Sequence, residues 1–126
     1  MKNSVISVLL FIVLVFSLLF LNNEFVSLCD DIIMKCEEIE VLLDDKNELL
    51  AYETSVELLE FIKERASIPA IYLNHADYDF LMNESLKLSL YIEGEDKAES
   101  LATLHVLRYN AEHLKNLQKP DIKNLF

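Results

Sequence analysis

From Val5 to Leu21 only Ser7 and Ser17 interrupt a run of apolar residues, and neither carries a charge. A helix made from such a run has no polar face to offer water. It must cross a bilayer, be buried, or be removed. Counted from Ser4, the run would form a helix of about 27 Å, close to the ~30 Å hydrocarbon core of a membrane. A cleaved secretory signal is the rival, but its apolar region is typically only about 7–15 residues and its cut site needs small side chains. The first alanine here is Ala51 and the lone glycine is Gly94. Val26-Ser27-Leu28-Cys29 places bulky Leu28 where a lipoprotein signal requires a small residue. Residues 1–21 are therefore expected to stay as a transmembrane anchor in the lipid bilayer. Lys2 precedes the run, Asn22, Asn23 and Glu24 follow it, and the next basic residue is Lys35. The positive-inside rule then predicts a single-pass cell-membrane protein, its N-terminus cytoplasmic and its C-terminal domain extracytoplasmic.

Beyond the anchor the pattern is helical. Phe25, Cys29, Ile32, Cys36, Ile39 and Leu43 recur at alternating spacings of four and three, a heptad seam on one helix face. The first helix should run unbroken from the membrane to about Leu43. Asp45 with Glu48 has capping-box spacing and predicts the start of a second helix bearing Leu49, Tyr52, Val56, Leu59, Ile62 and Ala66. Pro69 interrupts that pattern. Asp77 or Asp79 could cap a third helix carrying Leu81, Met82, Leu86, Leu88 and Ile92, ended by Gly94 at a position of positive φ. Asp96 and Glu99 repeat the capping spacing before a fourth helix with Ala98, Leu101, Leu104, Leu107, Ala111 and Leu114, stopped at Lys119-Pro120. Short connections favour antiparallel neighbours. The expectation is an all-α chain: an N-terminal transmembrane helix, an up-and-down antiparallel four-helix bundle over 22–119 and a tail over 120–126. The sequence displays no linker, internal repeat or low-complexity tract.

Charge and composition exclude several classes of function. With 22 acidic and 11 basic residues the chain carries a net charge of −11, the wrong sign for a nucleic-acid binder. One glycine and two prolines cannot supply the turns of a many-stranded β-fold, and no phosphate-binding glycine motif can be written. No serine sits in a nucleophile elbow, and no cofactor motif is present. The chain is not expected to be an enzyme or to hold a cofactor.

The residues that could carry chemistry are few. Cys29 and Cys36 are seven apart, about 10.5 Å along a helix, too far to bridge each other. Their shared seam would let them bridge a second copy, against the plainer reading of two small buried apolar groups. His75, Asp77 and Asp79 could hold a cation or pass a proton, with His113 as a further candidate ligand; a capping Asp with a hydrogen-bonded His is the plainer account. His105 is expected on the side of the bundle. Ile122, Leu125 and Phe126 would either pack back on the bundle or dock on a partner.

The stretch His75-x-Asp77-x-Asp79, the helix Leu81–Ile92, the Gly94/Asp96 turn, Leu101-Ala102-x-Leu104, His113-Leu114 and the ending Lys123-Asn124-Leu125-Phe126 resemble a bacterial family of small membrane-anchored proteins, domain of unknown function 4363. The family pattern has tryptophan in the second helix and often Glu two residues after the histidine. This chain has no tryptophan and has Asp77 at that place. The resemblance implies an N-terminal anchor, a helical outer domain and work beside a polytopic membrane protein, and it brings no activity. The expected role is a non-enzymatic interaction or accessory module, alone or as a homo-oligomer. The alternative is a metal- or small-ligand-binding domain built on His75, Asp77 and Asp79.

Overall fold

The structure is a computed structural model and describes residues 1–65 and 75–118. Four helices follow one another: α1 (Lys2–Asp44), α2 (Glu48–Arg65), α3 (His75–Glu93) and α4 (Lys97–Gln118), with no strand among the described residues. The fold is the expected all-α one. α1 packs on α2, α2 on α3, α3 on α4, and α4 closes the ring on α1. Ion pairs fix the directions. Arg65, at the end of α2, reaches Glu24 and Asp31, near the start of the packed part of α1, while Lys35 reaches Glu57. On the other flank Lys115 of α4 pairs with Asp30, and Arg108 with Glu40. Both α2 and α4 therefore run antiparallel to α1.

α1 has 43 residues and is about 65 Å long. Its two halves live differently. Val5 through Val15 are bare on every side, whereas Phe25, Leu28, Cys29, Ile32, Cys36, Ile39 and Leu43 are buried in one cluster with side chains of the other three helices. The seam read from the sequence is thus the bundle's own core and faces inward, away from any second copy. No proline or glycine falls within α1, so nothing in its sequence breaks the helix between its two halves. Within the apolar run, Ser7 and Ser17 donate to the carbonyls of Asn3 and Val13, which satisfies both hydroxyls without water.

The two helix–helix turns share one geometry. Lys46 N–H donates to the Leu43 carbonyl and Asn47 N–H to that of Leu42; Glu95 N–H and Asp96 N–H repeat this with Ile92 and Tyr91. Each is a Schellman ending, and the left-handed residue is Lys46 (φ 60°) in one turn and Glu95 (φ 58°) in the other. The next residue then caps the following helix. Asn47 Oδ1 accepts from Leu50 N–H at 3.4 Å, and Asp96 Oδ1 from Glu99 N–H at 3.1 Å. The fourth helix starts as expected. The second does not: its cap is Asn47, because Asp45 is taken up as the last residue of the α1 ending. Gly94 likewise does not hold the positive φ, which falls one residue later. Asp77 lies in the first turn of α3 and Asp79 within the helix, not at a cap.

Lys46 and Glu95 lie 49 residues apart, and the same shift relates the two helical hairpins. Ile32, Cys36, Ile39 and Leu43 of α1 correspond to Leu81, Ser85, Leu88 and Ile92 of α3, and all eight are buried. Ala51, Thr54, Ser55, Leu58 and Ile62 of α2 correspond to Ser100, Thr103, Leu104, Leu107 and Ala111 of α4, again all buried. Only Thr54/Thr103 and Leu58/Leu107 are identical. The bundle is a structural repeat that the sequence hides, because burial constrains size and polarity more than identity.

Candidate functional site

Cys29 and Cys36 are free thiols in the middle of the core. Burial pushes each up to about 12, with Asp30 raising and Lys115 lowering the first, and Arg108 lowering the second. Both are therefore protonated and inert at neutral pH. A bridge between copies would require opening the bundle, since neither side chain reaches its surface.

The other candidates are dispersed. His75 opens α3, and its side chain lies outside the described residues. Asp77 is half-buried and Asp79 exposed, two residues apart on a continuous helix and so on opposite sides of it. His113 is exposed on α4, its ring stacked on Tyr109 at 6.3 Å between centroids. His105 is exposed with Nε2 3.8 Å from Glu40 Oε1. Among the described residues no three His, Cys, Asp or Glu side chains come together as a metal site. Ile122, Leu125, Phe126, Ala66 and Pro69 lie outside the described residues.

What the sequence did not point to lies between α2 and α3. Leu49, Leu86 and Ala98, assigned to the core from periodicity, are exposed. At the end of the bundle formed by the two turns, a cavity of about 380 Å³ is lined by Glu48, Leu49, Tyr52, Ile92, Glu93 and Glu95. Three apolar or aromatic side chains and three carboxylates thus share its lining. A smaller hollow of about 150 Å³ joins the two turns and mixes Lys46 and Lys97 with Glu48, Glu95 and Asp96. Leu86, Leu90 and Glu93 follow a four–three spacing and so share one stripe of α3, and Glu93 places that stripe on the α2 side. The spacing was available in the sequence. Leu81, Leu88 and Ile92 were expected on this helix and are buried; what was missing was Ser85, whose polarity concealed that it completes the inward stripe with them. Ser85 is accommodated because its hydroxyl donates to the Leu81 carbonyl at 2.6 Å.

Residues 19–125 match the model of a protein family described as Domain of unknown function (DUF4363). The chain belongs to that family. The match covers the whole bundle of this DUF4363 protein and only the last residues of its apolar run. No curated protein and no solved structure matches the chain. Among the described residues one helix, α1, is long and apolar enough to cross a membrane.

Proposed function

We propose that this DUF4363 protein is a non-enzymatic, single-pass membrane protein whose bundle is an extracytoplasmic interaction module. It holds a surface at a set height above the bilayer for a membrane-bound partner, in the manner of an accessory subunit. The observation that carries this reading is α1, in which one unbroken helix supplies both a bare apolar half and the inward face of the bundle. Such a continuous rod ties the orientation of the outer domain to that of the anchor, which serves a docking surface and has no use in a freely diffusing binding protein. Lys2 before the apolar run, and the lack of any basic residue after it until Lys35, support the outward placement of the bundle.

The test is site-specific photo-crosslinking in intact cells from outward positions on three of the four helices: Met34 on α1, Leu90 on α3 and Tyr109 on α4. A discrete protein adduct from at least one face is expected. Absence of any protein adduct from all three, with the chain correctly inserted, overturns the reading.

A further inference from the structure

We infer that the groove between α2 and α3 binds a basic amphipathic helix contributed by another protein, a proposal that rests on the interaction-module reading and names the chemistry of its partner. The floor is formed by Tyr52 and Val56 of α2 and Met82 of α3, all half-buried. Leu49, Leu86 and Leu90 rise from it with 73%, 46% and 56% of their surface exposed. From Met82 to Glu93 the groove runs about 16 Å, three turns of a docked helix. An apolar strip of that length fits a partner with apolar residues at i, i+4 and i+7.

Charge selects the occupant. Glu48, Glu93 and Glu95 surround the cavity at one end of the groove, and Glu53, Glu57, Glu60 and Glu64 form an acidic stripe along the outer side of α2. Glu57 is engaged by Lys35 and Glu60 by Lys63. The cavity, lined by Leu49, Tyr52 and Ile92 together with three carboxylates, matches a Lys or Arg side chain, whose stem is apolar and whose head is cationic. A second copy of this chain fits poorly, since each carries a net charge of −11 and would set its carboxylates against another set. A bilayer fits poorly too. The groove runs along the bundle axis, which continues the line of α1, so the strip stands upright from the membrane and cannot lie on it.

The experiment uses the full chain in nanodiscs of phosphatidylcholine, with empty discs as the blank. The probes are two labelled helical peptides of identical Leu spacing, one flanked by Lys and the other by Glu. The Lys peptide should bind at least tenfold more tightly than the Glu peptide. Leu86→Ser with Leu90→Ser should weaken it at least tenfold, and Glu93→Gln with Glu95→Gln at least threefold. Met34→Ser, on the outer side of α1, should leave binding unchanged. Helical content and melting are measured for each variant; should the double Leu variant unfold, the Gln variant alone decides. Equal binding of the two peptides, or binding indifferent to the groove variants, overturns the inference. In cells, an adduct from Leu90 should map to a basic amphipathic segment of another protein. A Leu90 adduct with a second copy, with lipid or with a segment lacking basic residues overturns it. Adducts from Met34 or Tyr109 with none from Leu90 also overturn it, while leaving the interaction-module reading standing.

Discussion

The two helical hairpins are built on one plan and filled differently. In the first, α1 lines the core with Ile32, Cys36, Ile39 and Leu43, whereas the matching places of α3 carry Leu81, Ser85, Leu88 and Ile92, and Ser89 is buried where α1 has the half-buried Glu40. The flanks differ too: the packed part of α1 is held to its neighbours by Arg65, Lys35, Arg108 and Lys115, while α2 and α3 leave leucines exposed between them. Ser85 and Ser89 fill their places only because each hydroxyl bonds to a carbonyl of its own helix. A shared backbone plan thus tolerates a wide range of side chains.

Truncating equivalent core residues should test the plan most severely. Ile39→Ala and Leu88→Ala, both fully buried, should each cost about 2–5 kcal/mol in denaturant unfolding of the detergent-solubilised chain. A cost below about 1 kcal/mol for either would break the equivalence of the hairpins.

The thiols sharpen the contrast between Cys36 and its counterpart Ser85. Below pH 9 both the folded and unfolded chains keep Cys29 and Cys36 protonated. Above it the unfolded chain releases those protons while the folded chain holds them to about 12. Stability should therefore fall between pH 9 and 12, and Cys29→Ala with Cys36→Ala should remove that part of the fall. In the native state at pH 8 neither thiol should react with a disulfide reagent, and both should on unfolding.

Periodicity made the four helices, the seam and the Asp96 cap legible, because each depends on neighbours close in sequence. The cap at Asn47 was missed because the chain offers an unbroken polar run from Asp44 to Glu48, and only the turn geometry decides which residue of it caps. Gly94 misled for a similar reason: glycine is favoured at positive φ, yet here the position that needs it is taken by Glu95. The groove was illegible because it depends on which face of α3 meets α2, and that is settled by packing across the bundle.

The caps come next in size. Asp96→Ala should cost about 1 kcal/mol and Asn47→Ala less, given its longer contact. Equal losses would show that the two turns are equivalent in energy as well as in shape. Gly94→Ala should stabilise by about 0.4–1 kcal/mol, since the added methyl would meet only Leu90 O at 3.4 Å and Tyr91 O at 3.7 Å and the matching residue, Asp45, already carries a side chain. A loss of stability there would place Gly94 in a backbone state unlike that of Asp45.

The smallest effect belongs to the surface charges. Glu40→Gln removes the partner of His105 and one of the two carboxylates paired with Arg108, the other being Glu112, and should cost no more than about 1 kcal/mol at low salt. Most of that difference should vanish in 1 M salt, as thermal melts of both proteins would register.

Because α1 has no joint, it works like a keyed shaft. One residue inserted between Leu21 and Phe25 would turn everything beyond it by about 100° and lift it by about 1.5 Å. Seven inserted residues would raise the bundle by about 10.5 Å and bring it back to nearly the same heading. The compass bearing of the groove, and so which neighbour in the membrane plane it confronts, is set by how many residues lie between the two halves of a single helix.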